Sequence, residues 1–361
     1  WRIHDVHRTT HSPSDTIQAK VNRWASANRF GDLAYSAMGR LVVQRGETVR
    51  DLGPGFAPRW SPDGRRLVWT SWSDEAHTGR LHVTENRGLG RTATLPIRGQ
   101  LTNPVFSPDG RTIAVLRDPN QDNRPNLGSY PWFELIRLDR VGGSWSATVL
   151  NETVDAGVGF RAPRLSIHDG RIWWLAVGER KSRAPAKSDF VSVNLDGHDR
   201  MTHITFPGAV EAMPSPDFGR IAYKLQHQAW VAALPKSGVH AQLDDLPKHR
   251  LTETVGDWIN WTPDGSAVTW VQGDRFHTRS LADERIPHAD DPLVSGATTE
   301  RALNYQRPRD RPSKRWAIVG ATVLTMDTAD AVENATIVIK GDRIESIEAE
   351  GAVPLGVTAM D

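Results

Sequence analysis

The sequence predicts an all-β protein: a six-bladed β-propeller followed by a small partial β-sandwich. Three observations lead to this prediction. A turn of the type Ser-Pro-Asp-Gly, with apolar strand-like residues on both sides, recurs through the first four-fifths of the chain. Between the turns, apolar and polar residues alternate and helical periodicity is scarce. Near residue 316 the repeat gives way to a different set of strand-like runs.

The repeated turn has a clear physical basis. Pro presets φ, Asp can bond its own backbone, and Gly accepts a positive φ, so each copy closes a hairpin. The residues after the turn alternate like a return strand. Four clear copies begin at Ser61, Ser107, Ser215 and Thr262, and two worn copies begin at Ser26 and Ser166.

A third strand-like run follows most copies, for example Phe190–Leu195, and a short fourth strand fits before the next copy. Four strands in about 45 residues, repeated six times, is typical of a β-propeller. A β-sandwich with several such hairpins is the alternative fold. The last copy, from Asn260 to Leu281, has clear room for only three strands. We therefore expect a segment within Trp1 to Trp24 to supply its outer strand and close the ring.

Three regions follow from these patterns. Residues 1–283 form the predicted propeller. Residues 284–315, which are rich in Pro, Arg and Lys, are interpreted as an extended linker. Residues 316–361 contain four strand-like runs, the middle two joined by Gly341-Asp342, which suits a two-residue hairpin turn.

Composition excludes several classes of protein. Lys and Arg number 44 and Asp and Glu number 43, a net charge of +1, so we expect neither nucleic-acid nor membrane-surface binding. The chain has no Cys, which excludes disulfides, thiolate metal sites and Cys nucleophiles. It has no apolar stretch long enough to span a membrane. The chain begins at Trp1, and we expect it to be a piece of a longer protein.

Catalytic motifs are absent from the sequence. It contains no His-x-His pair, nucleophile elbow, phosphate-binding loop or His-Glu-x-x-His motif. His4, His7 and His11 could bind a metal, although an N-terminal segment without a site is the favoured interpretation. Trp72–Glu75 could face the mouth of the pore, but a solvated acidic loop is favoured. Most of the 14 Trp residues lie on strands and are attributed to blade packing. We therefore assign no catalytic, cofactor-binding or metal-binding residue.

The chain resembles two known families in different regions. Trp60-Ser61-Pro62-Asp63-Gly64 and its copies, over about residues 20–280, resemble the TolB-type propeller repeat. The C-terminal segment resembles the N-terminal β-sandwich segment of bacterial metal-dependent amidohydrolases. The matching residues are Thr325-Met326-Asp327, Glu333-Asn334-Ala335-Thr336, Ile339-Lys340-Gly341-Asp342-Arg343-Ile344, Val353-Pro354-Leu355-Gly356 and Asp361.

The order of the two parts resembles a class of large bacterial amidohydrolases in which a TIM-like barrel follows. The resemblance implies a hydrolase of amide or other C–N bonds, in which a divalent metal, expected to be zinc, is held by His residues of that barrel. Because those ligands are missing here, we expect this chain alone to bind no catalytic metal and to be inactive. The alternative function is a non-catalytic propeller that binds a protein or peptide.

The resemblance also implies a partner and a location. We expect the catalytic barrel polypeptide to complete the C-terminal sheet by strand pairing along residues 335–347, because half a sandwich leaves apolar side chains uncovered. Those side chains are Ile318, Val323, Ile337, Ile339, Ile344 and Ile347. A homo-oligomer is a further alternative. We expect a periplasmic or secreted protein, with the cytoplasm as the alternative location.

Overall fold

The computed structural model describes residues 15–118, 132–155, 162–178, 187–236, 238–254, 256–281, 297–309, 314–326, 330–341 and 343–360. His4, His7 and His11 lie outside these residues. The chain divides into two compact units. The larger unit is Ala19–Tyr305, and the smaller unit combines Trp1–Gln18 with Gln306–Asp361.

The described residues of the larger unit form six antiparallel sheets, which we call blades 1 to 6. The first strand of the chain, β1 (Thr16–Gln18), belongs to the smaller unit. Blade 1 contains β2 (Asn22–Ala27), β3 (Leu33–Ala37), β4 (Arg40–Arg45) and β5 (Thr48–Pro54). Blade 2 contains β6 (Phe56–Trp60), β7 (Leu67–Ser73), β8 (Thr78–Thr84) and β9 (Thr92–Arg98), with the helical turn α1 (Glu85–Gly88) before its last strand. Blade 3 contains β10 (Gln100–Phe106), β11 (Thr112–Asp118), β12 (Trp132–Val141) and β13 (Ser144–Asp155).

The second half of the ring repeats this plan. Blade 4 contains β14 (Ser166–His168), β15 (Arg171–Val177), β16 (Ser188–Asn194) and β17 (Met201–Phe206). Blade 5 contains β18 (Glu211–Pro214), β19 (Arg220–Leu225), β20 (Gln228–Ala233) and β22 (Lys248–Arg250), and the intervening β21 (Ala241–Gln242) pairs in parallel with β17 of blade 4. A 3-10 turn follows at Leu243–Asp245. Blade 6 contains β23 (Asp257–Trp261), β24 (Ala267–Gln272), β25 (Arg275–Ser280) and β26 (Thr298–Ala302).

Six apolar clusters of the described residues lie between neighbouring blades, so the sheets form a closed ring. One pair from each cluster illustrates this: Leu41 and Trp69 for blades 1 and 2, Val68 and Val115 for blades 2 and 3, Leu116 and Trp174 for blades 3 and 4, Phe206 and Tyr223 for blades 4 and 5, Val231 and Trp270 for blades 5 and 6, and Phe276 and Tyr35 for blades 6 and 1. The first strands of most neighbouring blades also contact one another, and between blades 4 and 5 the contact is from β18 to β15, so the first strands are the innermost strands. The all-β propeller predicted from the repeat is confirmed.

The ring closes differently from our prediction. The outer strand of blade 6 is β26, which pairs with β25 from Arg275↔Ala302 to Arg279↔Thr298. The prediction that a segment within Trp1 to Trp24 supplies this strand is therefore wrong, since β1 pairs instead with β27 (Gln306–Pro308) in the smaller unit. It also follows that residues 298–302, which we interpreted as linker, belong to the propeller. The chain accordingly divides between Gln18 and Ala19 and between Tyr305 and Gln306, rather than at residues 283 and 315.

Gln44 holds the junction between blades 1 and 6. Its side-chain Nε2 donates to the carbonyl of Ala302 at 3.0 Å, and its Oε1 accepts from the backbone N–H of Asn304 at 3.1 Å. The hydroxyl of Tyr35 donates to the same Oε1 at 3.1 Å. The backbone N–H of Asn22, on the innermost strand of blade 1, donates to the carbonyl of Gly273, in the turn between β24 and β25, at 3.1 Å. Side-chain and backbone hydrogen bonds, rather than an exchanged strand, thus join the first blade to the last.

The repeated turns share one hydrogen-bond pattern. In blade 3 the Ser107 hydroxyl donates to Asp109 Oδ1 at 2.5 Å and accepts from the N–H of Thr112 at 2.9 Å. The same pattern recurs at Ser61, Ser215 and Thr262. In blade 1 the equivalent residue is Asn28 and not Ser26, because Gly31 N–H donates to the Asn28 carbonyl as Gly110 N–H does to Ser107. The Asn28 side chain accepts from the backbone N–H groups of Phe30 and Asp32.

The described residues of the smaller unit contain β1 with β27 and one four-stranded sheet. That sheet comprises β28 (Arg315–Val323), β29 (Val332–Lys340), β30 (Arg343–Ala349) and β31 (Thr358–Met360), in the order β30-β29-β28-β31. β29 and β30 form a hairpin, as predicted, in which Lys340 pairs with Arg343, and β31 runs parallel to β28. The register places Ile318, Ile337 and Ile347 side by side on one face of this sheet.

Candidate binding site in the propeller channel

In five of the six innermost strands, one residue occupies the same position in the ring. It lies three residues before the last strand residue that pairs across the first hairpin, for example before Trp60, which pairs with Leu67. The five residues at this position are Trp24, Ala57, Asn103, Glu211 and Trp258, and in blade 4 Arg164 lies two residues before β14. Because the innermost strands surround the propeller axis, this position faces the channel.

Four of these five residues have a left-handed backbone. Their φ values are 54° for Trp24, 51° for Ala57, 50° for Asn103 and 58° for Trp258. Each lies where the pairing register of its strand shifts, which marks a β-bulge. A bulge redirects the side chain, and left-handed residues other than Gly cost free energy and concentrate at functional sites. The ring position is therefore built by a repeated local distortion.

Side chains from blades that are not neighbours meet across the channel. Trp24 of blade 1 donates its Nε1 hydrogen to Asn103 Oδ1 of blade 3 at 3.1 Å. The Trp24 ring also lies 4.5 Å from the ring of Trp258. Asn103 Nδ2 donates to the carbonyls of Ala162 and Pro163 at 2.9 and 3.0 Å. Both amide donors of Asn103 and the indole donor of Trp24 are thus occupied.

Two arginines and one glutamate provide the charge in this group. Arg164 donates to Glu211 Oε1 at 2.8 Å and also to the carbonyl of Ile259 in blade 6. Arg59 lies two residues beyond Ala57 on the innermost strand of blade 2, and its Nη2 lies 3.7 Å from the Sδ atom of Met213 in blade 5. Blades 2 and 5 face each other in a ring of six, so Arg59 spans the channel.

Arg59 has no carboxylate partner among the residues that the structure describes, whereas Arg164 is paired with Glu211. Burial lowers the pKa of Arg59 well below its usual value, the nearby Arg164 cation lowers it further, and Glu211 acts in the opposite direction. A partly desolvated cation of this kind is stabilised by an anion. We call Trp24, Arg59, Asn103, Arg164, Glu211 and Trp258 the channel cluster.

A small cavity opens beside the channel cluster, and its walls include Trp24, Pro58, Arg59 and Arg164. The charged side chains Arg59, Arg164 and Glu211, beside the Asn103 amide, are groups that can bind and orient a polar ligand. Within the part of the chain that the structure describes, no three His, Asp or Glu side chains are grouped as a metal would require. Among the described helices, none is long and apolar enough to cross a membrane.

Trp72–Glu75, and six strand tryptophans interpreted from the sequence as blade packing, lie outside the channel cluster. Trp72 lies at the hairpin between β7 and β8, where its Nε1 donates to Asp74 Oδ1 at 2.8 Å. Asp74 and Glu75 are exposed, in agreement with a solvated loop. The strand tryptophans pack between or within blades, as predicted: Trp69, Trp173, Trp261 and Trp270 are buried, and Trp60 and Trp230 are half-buried.

Sequence reasoning did not identify the channel cluster. The five residues at the ring position are of four different types, so they form no motif. A count of three residues back from the end of the innermost strand would have aligned these five, whereas in blade 4 the same count gives Leu165. That count requires the register of every first hairpin, and blades 1 and 4 have the worn turns that obscure it.

Comparisons with known proteins show a similar architecture. No protein-family model matches the chain, and no curated protein matches it. The solved structures that it is similar to include the β-propeller domain of the Trilobed protease from Pyrococcus furiosus, with 12% identity, a TM-score of 0.49, and coverage of 80% of this chain and 98% of that one.

A second similar structure is TolB from Acinetobacter baumannii, with 14% identity and a TM-score of 0.46 over 75% of this chain. This chain spans 63% of that TolB chain. A third is an oligogalacturonate lyase in complex with manganese, with 13% identity, a TM-score of 0.47, and coverage of 74% of this chain and 76% of that one. TolB-type proteins and propellers of enzymes are therefore both among the similar structures, and the likeness extends to architecture alone.

Proposed function

We propose that this chain is the propeller and scaffold portion of a metal-dependent amidohydrolase-type hydrolase that acts on amide or other C–N bonds. In this proposal the catalytic barrel is a separate polypeptide or a further part of the same precursor. The observation that carries the proposal is the sheet formed by β28 to β31, whose sequence resembles the segment that precedes the barrel in that family. The barrel would bring the divalent metal and its ligands.

One face of this sheet carries Ile318, Ile337 and Ile347 and is called the isoleucine face. Its exposure supports the proposal that a further polypeptide covers it. None of Ile318, Val323, Ile337, Ile339, Ile344 and Ile347 is buried, and Ile344 is 61% exposed. Burial of one such side chain contributes roughly 1.5–3 kcal/mol, so covering this face would stabilise a complex substantially. Contiguous apolar surface of this kind is typical of an interface.

The edge of the sheet supports the same proposal. β30 pairs with β29 on one side, and on its other side no strand pairs with it among the described residues. Its sequence, Arg343–Ala349, alternates charged residues with Ile344 and Ile347. An unpaired strand edge beside an apolar face can accept a further strand, which is how another polypeptide would extend the sheet.

The test is reconstitution. The polypeptide encoded directly after Asp361 in the source gene is expressed separately, mixed with this chain, and assayed with zinc on a panel of dipeptides and lactams. We expect each part alone to be inactive, and the mixture to bind zinc in stoichiometric amount and to hydrolyse at least one substrate. Periplasmic or secreted location is part of the same proposal and is tested by fractionation of source cells.

Matched variants make the test specific. Ile344→Asp, on the edge strand β30, should abolish reconstitution, because it places a charge in the proposed interface. Val141→Asp, at a propeller hairpin where Val141 is 72% exposed, should leave reconstitution unchanged. Hydrolysis by this chain alone, or a downstream polypeptide that neither binds it nor carries metal ligands, would refute the proposal.

A further inference from the structure

We propose that the channel cluster binds a carboxylate, held between Arg59 and Arg164 beside the ring of Trp24. The inference concerns the propeller alone, and it does not depend on the proposed hydrolase. It rests on three observations. Side chains from different blades meet across the channel, the positive charge of Arg59 has no carboxylate partner among the described residues, and guanidinium N–H groups remain available as donors.

The charge balance favours an anion. The channel cluster contains two guanidinium groups, and among the described residues Glu211 is its one carboxylate. Glu211 is engaged with Arg164 at 2.8 Å. A nearby Lys224 is paired with Asp257, so that pair does not neutralise Arg59. One positive charge therefore remains in the channel, where low exposure to solvent strengthens its attraction for an anion.

The free hydrogen-bond donors favour a carboxylate over a neutral amide. Asn103 uses both amide hydrogens on backbone carbonyls, and Trp24 uses its indole hydrogen on Asn103. Among the described residues that line the cavity, the remaining side-chain donors belong to the arginines, and the Arg59 guanidinium contacts the Met213 sulfur. A planar guanidinium offers a fork that matches the two oxygens of a carboxylate.

The walls of the cavity indicate what carries the carboxylate. Trp24 and Pro58 line the cavity, and Met213 lies against Arg59. The cavity is small, so these apolar groups suit the carbon atoms next to a carboxylate, and the rest of such a ligand would extend along the channel. Such a carboxylate occurs at the C-terminus of a peptide and in small organic acids, and the experiment separates these two sources.

Calorimetric titration of the full chain tests the proposal with matched pairs of probes. N-acetyl-L-phenylalanine is compared with its amide, and the tripeptide Ala-Ala-Phe is compared with its C-terminal amide. We expect an acid to bind and the corresponding amide to bind at least about tenfold more weakly, since a hydrogen bond to a charged group is lost. Stronger binding of the tripeptide acid assigns the site to peptide C-termini, and stronger binding of the acetylated amino acid assigns it to small acids.

Three variants locate the binding. Arg59→Met should weaken binding of the acid about tenfold or more. Glu211→Gln should strengthen it, because Arg164 is then released from its carboxylate partner, and a merely structural role for the cluster predicts no such gain. Arg98→Met removes the same charge from the outer strand of blade 2 and should leave the affinity unchanged.

Several results would overturn the proposal: equal binding of acid and amide, no binding of either acid, or wild-type affinity in a folded Arg59→Met chain. If Arg59→Met fails to fold, the response to Glu211→Gln decides the matter, and unchanged or weaker binding in that variant refutes it. These outcomes are independent of reconstitution with a barrel, so the channel proposal and the hydrolase proposal fail separately.

Discussion

The guanidinium of Arg87 in blade 2 donates two hydrogen bonds, at 2.6 and 2.7 Å, to the carboxylate of Asp32 in blade 1. Asp32 is buried, and Asn28 donates a third hydrogen bond to it at 2.9 Å. Arg87 has a left-handed backbone, with φ of 56°, within the helical turn α1. This turn therefore links blade 2 to the first hairpin of blade 1, where Asn28 replaces the turn hydroxyl of the repeat.

Replacement of Asp32 should destabilise the propeller. Burial raises the pKa of Asp32, but hydrogen bonds from Arg87 and Asn28 outweigh this effect and hold the pKa below its usual range. We expect Asp32→Ala to lower the free energy of unfolding by roughly 2 kcal/mol, because these donors lose their acceptor. Urea unfolding at neutral pH measures it. Asp244→Ala, at a side chain that is 81% exposed, is the control, and equal losses in the two variants would contradict the prediction.

Mild acid should weaken the fold through buried histidines. Burial, with help from nearby Arg171 and His240, lowers the pKa of His203 to about 4, and burial with Arg279 and Arg220 does the same for His249. Their unfolded pKa is about 6.5, so between pH 6.5 and 4 the unfolded chain binds more protons than the folded chain. Stability should therefore fall as the pH is lowered through this window.

Between pH 7 and 5 the loss should reach up to about 2 kcal/mol for each of these two histidines. Urea unfolding at the two pH values measures it. His203→Gln should reduce the pH dependence, whereas His198→Gln, at an exposed residue, should not. The same pH dependence in all three proteins would show that other groups cause it. The lowered pKa values of the turn aspartates act below about pH 4, outside this window.

The turn glycine of blade 3 should resist substitution. Gly110 has φ of 68°, and an added Cβ would lie 2.3 Å from Nη2 of Arg66, which donates to the Gly110 carbonyl at 3.0 Å. Gly110→Ala should therefore combine left-handed strain with loss of this contact between blades, and cost roughly 2 kcal/mol of unfolding free energy. Gly142→Ala, at φ of 59° with open space around the position, carries the strain alone. Thermal unfolding compares them, and a smaller loss in Gly110→Ala would disprove this explanation.

The junction between blades 1 and 6 should depend on Gln44. Gln44→Ala removes its hydrogen bonds to the Ala302 carbonyl and the Asn304 N–H. We expect hydrogen–deuterium exchange in Thr298–Ala302 to rise at least severalfold, because local opening of the outer strand becomes easier. Gln272→Ala, at an exposed residue of blade 6, is the control. Unchanged exchange in Gln44→Ala would mean that β25 alone holds the strand.

The turns and the buried strands were predictable because their side chains carry strong local signals. The outer strand of blade 6 was not. Its sequence, Thr298-Thr299-Glu300-Arg301-Ala302, lies at the surface, so it lacks the apolar alternation that marks a half-buried strand. Pairing with β25 and the hydrogen bonds of Gln44 place it there, and these are long-range contacts that no local pattern expresses.

The first repeat shows a related limit. Asn28 replaces the turn hydroxyl by a different chemical group that also accepts backbone hydrogen bonds, so alignment by residue type selected Ser26 instead. The channel cluster was hidden for a similar reason. Trp24, Arg59 and Glu211 come from distant parts of the chain, and only the closed ring brings them together.

The complete outer strand of blade 6 also bears on how the chain is synthesised and folds. Each of the six blades is drawn from its own stretch of sequence, so the sheets can assemble in order as the ribosome releases them, without waiting for a distant chain end. The last step is then the packing of blade 6 against blade 1, through the apolar cluster that contains Tyr35 and Phe276. Until blades 1 and 6 pack together, the propeller is an open arc, and the apolar faces of its first and last blades are exposed to solvent. We expect the chain to be most prone to aggregation, and most dependent on chaperones, during this interval.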